Sequence, residues 1–173
     1  KTIFHNLNIA LAPHNIIQIK GRNGIGKTTL IKILSNIFIP TTGDIYWNGQ
    51  NIKKKPHLLF KNLTYIMDTN TAKKNMTVSE NIKFWQRIFF SSISNKTIES
   101  LLELLEINIY KNVMTKYLSL GEIRKLELCR LMIEQKKLWI LDEPYVGLDE
   151  STNELINETF KNHAENGGMI LFS

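Results

Sequence analysis

A chain of 173 residues, 43% of them apolar, is long enough to bury a real core in one compact domain and too apolar to stay disordered. Cys129 is its only cysteine, which excludes a disulfide framework and points to a reducing, intracellular compartment. The net charge of +6 comes from scattered lysines whose one tight run, Lys53-Lys54-Lys55, reads as a solvated turn, so nucleic acid is not an expected partner.

No apolar run approaches the roughly 18 residues that a membrane-spanning helix needs. Nor does the start show a signal-peptide pattern, so the expectation is a soluble or peripheral protein. The first residue is Lys1 and the last six, from Gly168 to Ser173, stop inside an apolar run; both ends read as cut.

Residues 3–12 alternate in part between polar and apolar side chains. A β-branched run at 16–20 predicts a buried strand that ends at Gly21. Residues 21–26 are glycine-rich, and 27–34 predict a helix whose apolar positions 30, 31, 33, 34 and 37 face a sheet. A turn at 40–43 precedes a short strand at 44–47 and a second turn at Asn48-Gly49. Residues 63–67 form the next predicted strand.

From about 70 to 118 strand patterning stops and helix starts take over, as expected of a helical lobe inserted into an α/β core. Thr77-Val78-Ser79-Glu80 matches a capping box for a helix burying Ile82, Trp85, Ile88 and Phe89. A second helix over 97–107 has Leu101, Leu102, Leu104 and Leu105 apolar. Ser119-Leu120-Gly121-Glu122 is another capping box, opening a helix to about Glu134. The continuous apolar run 138–141 predicts a parallel strand covered on both faces. A helix over 150–165 and a glycine pair at 167–168 lead into the last strand.

Gly21-Arg22-Asn23-Gly24-Ile25-Gly26-Lys27-Thr28 satisfies the phosphate-binding pattern G-x-x-x-x-G-K-[ST] between a predicted strand and a predicted helix. Glycines allow the backbone to wrap phosphate oxygens, and the helix N-terminus presents free N–H donors. Lys27 is expected beside the β- and γ-phosphates, Thr28 on Mg²⁺, and Thr29 as a further phosphate contact. Ile25 contributes backbone only. ATP and Mg²⁺ are therefore the expected ligands. A chance glycine turn is the alternative, and the strand–loop–helix context argues against it.

The predicted strand 138–141 runs into Asp142, Glu143 and Pro144. Alone, this is an ordinary strand exit. Downstream of a phosphate loop it places Asp142 at the carboxyl edge of the sheet, where ligands of α/β proteins collect, to hold Mg²⁺. Glu143, pointing the other way, is the expected catalytic residue that polarises the attacking water.

These segments, in this order and over essentially the whole chain, resemble the ATP-binding subunit of ABC transporters. In that resemblance Leu118-Ser119-Leu120-Gly121-Glu122 stands at the signature sequence, and Gly147-Leu148-Asp149 at the D-loop. The resemblance implies a P-loop NTPase fold: a RecA-like α/β core, an antiparallel β-lobe and the inserted helical lobe, together one ATPase domain over 1–173. It implies a head-to-tail homodimer in which Ser119 and Gly121 meet the partner's ATP, and an integral membrane permease as a further partner. Residues 75–85, Asn75-Met76-Thr77-Val78-Ser79-Glu80-Asn81-Ile82-Lys83-Phe84-Trp85, are most similar to the haem exporter subfamily of cytochrome c maturation. That likeness implies a peripheral protein on the cytoplasmic side of an inner membrane, or the matrix side in a mitochondrion.

Departures from the family pattern are Thr69 at the Q-loop position, Leu120 in place of a small residue, and Glu122 in place of glutamine. The adenine-stacking aromatic and the switch histidine fall outside the chain, and His5, His14, His57 and His163 match no family position. Two other readings stay open: a soluble ABC ATPase acting on ribosomes or nucleic acid, and a nucleotide-binding regulator without hydrolysis. The intact Glu143 argues against the second. The cargo and the host, bacterial or organellar, are not legible.

Overall fold

The structure, a computed structural model, describes residues 3–173; Lys1 and Thr2, the first residues of the expected 1–173 domain, lie outside the described residues. In chain order the strands are β1 (Ile16–Gln18), β2 (Tyr46–Trp47), β3 (Gln50–Asn51), β4 (Leu63–Ile66), β5 (Leu138–Leu141) and β6 (Met169–Phe172). The helices are α1 (Lys27–Leu34), α2 (Pro56–Phe60), α3 (Val78–Ile88), α4 (Asn95–Leu104), α5 (Leu120–Glu134) and α6 (Glu150–Glu165). They fall into two compact units. A core holds the chain up to Asp68, Lys136–Glu143 and Thr159–Ser173, and a helical unit holds Thr69–Gln135 and Pro144–Glu158. The helical unit thus takes in α5 and the first half of α6, beyond the 70–118 lobe expected from composition.

The core is a four-stranded parallel sheet in the order β1-β6-β5-β4. Its register sets Gln18 beside Phe172, Phe172 beside Leu141, and Leu141 beside Ile66. Pairing runs on past the strand ends: the Ile19 N–H donates to the Phe172 carbonyl at 2.7 Å and the Asp142 N–H to the Ile66 carbonyl at 2.9 Å. On one face Leu138, Ile140, Met169 and Leu171 pack with Ile31 of α1, Ile52, Leu59 and Leu63. On the other, the Trp139 indole stacks on His163 of α6 with ring centroids 3.6 Å apart, and Phe160 meets Phe172 at 5.6 Å. Both faces are covered, so β5 and β6 are buried at every position, the physical reason they read as unbroken apolar runs. Each buried aliphatic side chain there stabilises the sheet by about 1.5–3 kcal/mol.

The expected strand at 44–47 shortens to two residues, antiparallel to β3. Asn48 and Gly49 both have positive φ, 47° and 73°, the backbone of a tight hairpin turn whose twist matches its strands. Ile37, placed on the sheet-facing stripe of α1, is 48% exposed because the helix stops at Leu34. The short α2, opened by Pro56 at its first turn, has too few residues for a periodic signal.

In the helical unit Val78, Ile82 and Trp85 of α3, Ile98 and Leu102 of α4, and Leu126, Cys129 and Ile133 of α5 share one core with Leu105 and Ile107. One expected core residue is corrected: Ile88 is 51% exposed, since it lies at the edge of its helix's buried stripe at about 100° per residue. Phe89, in the stripe, packs on the core. Leu104 of α4, off that helix's buried stripe, is exposed as well. The capping box of α3 is formed: the Glu80 N–H donates to Thr77 Oγ1 at 3.2 Å and the Thr77 N–H to Glu80 Oε2 at 2.8 Å.

Candidate functional site

Gly21, Arg22, Asn23, Gly24 and Ile25 form an exposed loop between β1 and α1. Gly24 and Gly26 have φ of 77° and 113°, which a side chain would strain. A Cβ on Gly26 would also run into the Ile3 side chain. Gly26 opens α1 without any side-chain cap. The first-turn N–H groups of Lys27, Thr28 and Thr29, which have no intrahelical acceptor, are therefore not taken by a capping side chain. The Lys27 ammonium folds across the loop to the carbonyls of Gly21 at 3.0 Å and Arg22 at 3.4 Å. Curled backbone, half-buried Thr28 and Thr29 and a cation over the loop fit a polyphosphate.

Asp142 follows β5 directly and is fully buried. Its Oδ1 accepts from the Ser173 hydroxyl at 2.8 Å, and the same oxygen of Ser173 accepts from the Glu143 N–H at 3.2 Å. Glu143 is exposed, with φ 49°, so the chain turns sharply where the strand ends and the two carboxylates part. Because β1, β5 and β6 are parallel, the glycine loop, Asp142 and Ser173 leave the same sheet edge. The loop's strand and that of Asp142 are separated by β6 alone, a spacing of about 10 Å. A buried carboxylate and a threonine hydroxyl at a helix start are hard oxygen donors, which suits Mg²⁺. Near this edge the Tyr65 phenol is pushed well up, first by burial and then by the charges of Asp142 and Asp68. Sequence reasoning missed Tyr65 and Ser173; strand adjacency, which no local pattern carries, is what brings them to Asp142.

Ser119 and Gly121 lie in the helical unit, at the start of α5. The second capping box is formed: the Ser119 N–H donates to Glu122 Oε2 at 2.7 Å and the Glu122 N–H to Ser119 Oγ at 3.3 Å. Burial, the largest single influence on Glu122, raises its pKa. The Ser119 N–H, the Tyr110 hydroxyl, the Ser119 hydroxyl and Lys125 together outweigh it and hold the carboxyl below its ordinary range. Glu122 is thereby tied to its own helix. Gly121 has a steric reason to lack a side chain: a Cβ there would sit 2.5 Å from the Gly147 carbonyl oxygen. Asp149 caps α6, accepting from the Thr152 N–H at 2.8 Å and the Ser151 hydroxyl at 2.7 Å. Lys125 of α5 pairs with it at 3.0 Å. Leu120 is 76% exposed, and Thr69 is exposed at the start of the unit.

The family model for the ABC transporter matches residues 4–146. Over all 173 residues the chain is 32% identical to the cytochrome c biogenesis ATP-binding export protein CcmA of Vibrio parahaemolyticus, covering 84% of that protein. It is also 32% identical to the CcmA of Haemophilus influenzae, covering 82% of it. Its fold matches a solved ABC transporter ATP-binding protein of Pyrococcus furiosus with a TM-score of 0.82 at 24% identity, over 96% of this chain and 82% of that one. No helix among the described residues is long and apolar enough to cross a membrane. The chain belongs to the ABC transporter family, as a nucleotide-binding, ATP-hydrolysing subunit.

Proposed function

We propose that this subunit binds MgATP at the shared sheet edge and drives haem export for cytochrome c biogenesis. The observation that supports this most is the common edge itself: the glycine loop and Asp142 leave one parallel sheet with a single strand between them. The loop amides of 21–26 and the first turn of α1 cradle the phosphates, and Lys27 swings from the carbonyls of Gly21 and Arg22 to the β- and γ-phosphates. Thr28 and Asp142 hold Mg²⁺, which supplies charge neutralisation at the phosphoryl oxygens. Glu143, exposed beside the buried Asp142, orients the attacking water and accepts its proton.

Two copies pack head to tail, with Ser119 and the small Gly121 of one offered to the triphosphate of the other. The N-terminus of α5 supplies donors and the positive end of its dipole there. Hydrolysis separates the pair, and an integral permease converts that movement into transport. The relatives are named for cytochrome c biogenesis and export; c-type cytochromes carry attached haem, which makes haem the fitting cargo, chosen by the membrane subunits. The protein works on the cytoplasmic face of the membrane, or the matrix face in an organelle.

The test compares wild type with Glu143→Gln and Lys27→Ala, reading phosphate release, ATP affinity and mass in solution. Glu143→Gln is expected to lower turnover by roughly 10²–10⁴ while keeping ATP affinity and accumulating a dimer with ATP. Lys27→Ala is expected to lose ATP binding. Equal turnover in wild type and Glu143→Gln would sink the hydrolytic assignment, and a Glu143→Gln protein that stays monomeric with ATP would sink the head-to-tail pair.

A further inference from the structure

Glu127 lies in the middle of α5 and is 2% exposed. A carboxylate at that depth is costly unless every lone pair finds a donor. Most of its donors come from outside the helix. Oε1 accepts from the N–H of Thr71 at 2.5 Å and of Ala72 at 2.6 Å, and both oxygens accept from the Thr71 hydroxyl, at 2.9 and 2.8 Å. Arg130, one turn on, donates to Glu127 Oε2 at 3.2 Å and to Thr71 Oγ1 at 3.1 Å, and is itself paired with Glu134 at 2.7 Å.

The segment so gripped has no regular structure, and a second buried group completes the hold. Asn81 of α3, fully buried, accepts from the Lys73 N–H at 2.7 Å and donates to the carbonyls of Lys73, Met76 and Thr77 at 3.2, 3.3 and 3.0 Å. Both groups tie residues 71–77, where the chain enters the helical unit from β4, to that unit's helices.

We infer that Glu127 is a positioning residue for the ATPase cycle: it clamps Thr71 and Ala72 onto α5 so that entering segment and signature helix move as one piece. Toward its start, the helix it grips carries Gly121 about 9 Å away and Ser119 about 12 Å away. A shift that reaches Thr71 through the short link from β4 is therefore delivered to the α5 N-terminus, rather than absorbed by a loose loop. This inference rests on the proposed head-to-tail ATPase, in which that N-terminus meets ATP.

The experiment uses the full chain, with Glu127→Ala, Glu127→Gln and Thr71→Val. Amide hydrogen exchange at Thr71 and Ala72 is read beside kcat and KM for ATP. In Glu127→Ala the two amides are expected to lose protection while α5 keeps it, with kcat down roughly tenfold or more and KM little changed. Gln keeps an oxygen acceptor for the two N–H groups, so Glu127→Gln is expected to recover protection and most of kcat. Should Glu127→Ala not fold, Thr71→Val, which removes only the hydroxyl bonds, is expected to show the same kcat-selective loss in smaller measure. Protection that survives in Glu127→Ala, or a lost clamp with kcat unchanged, overturns the inference. So do kcat and KM that worsen together and equally in the Ala and Gln variants. A wild type that hydrolyses no ATP would instead count against the proposed function, and the exchange data would still decide the clamp.

Discussion

Ser173 and Asp142 are joined by a hydrogen bond of 2.8 Å in which the serine hydroxyl donates to Oδ1. The serine oxygen also receives the Glu143 N–H at 3.2 Å. One hydroxyl on β6's exit thus sets the orientation of the carboxylate proposed for Mg²⁺ and the start of the turn that carries the proposed catalytic glutamate.

Replacing Ser173 by Ala removes that donor from a fully buried carboxylate and releases the Glu143 amide. Groups that orient a metal ligand typically change metal affinity by roughly 10- to 100-fold, and the low end suits a single neutral donor. The Mg²⁺ concentration for half-maximal phosphate release is expected to rise roughly tenfold, with ATP still bound through the glycine loop. An unchanged Mg²⁺ requirement would show that Ser173 does not orient Asp142.

Several elements were legible because each carried a strong local signal. The glycine loop had its spacing, β5 its unbroken apolar run, and α3 and α5 their capping boxes, which formed as the side chains demanded. What stayed hidden depended on partners distant in sequence. Ser173 lies 31 residues from Asp142 and Thr71 lies 56 from Glu127, so neither relationship leaves a trace in a window of ordinary length. Ile88 was misplaced for a different reason: an apolar residue at the margin of a helical stripe is as much at home in solvent as in a small core.

Gly121 offers a steric test. A methyl group there would meet the Gly147 carbonyl oxygen at 2.5 Å, backbone that has no rotamer to yield. Either the first turn of α5 or the turn at Gly147, φ 78°, must shift. Gly121→Ala is expected to destabilise the chain by about 1–3 kcal/mol in urea unfolding. Turnover should fall further than the folded fraction does, because the displaced turn is the one offered to ATP. Leu120→Ala is the control: that side chain is 76% exposed, and its removal should change stability by less than about 0.5 kcal/mol. Equal losses in the two variants would remove the steric argument.

The two capping boxes also make a pH prediction. Glu122 is held below its ordinary range despite the upward push of burial, by the Ser119 N–H, the Tyr110 hydroxyl, the Ser119 hydroxyl and Lys125. Glu80 is lowered by the Thr77 backbone and hydroxyl. Asp149 is lowered by the Thr152 and Ser151 hydroxyls, the Thr152 N–H and Lys125. A carboxyl whose folded pKa lies below its unfolded value takes up protons more readily when unfolded. Its stabilisation is therefore complete above the unfolded pKa and lost as pH falls through the folded one. The contribution of these carboxyls to the urea midpoint should be level near neutrality and decline as pH drops below about 4.3. Gln also closes a capping box, so Glu80→Gln with Glu122→Gln should keep most of the neutral-pH midpoint and show a shallower acid decline. The remaining slope belongs in part to Asp149. A double variant whose acid decline matches wild type would mean that the two boxes are held by packing, with their charges contributing nothing.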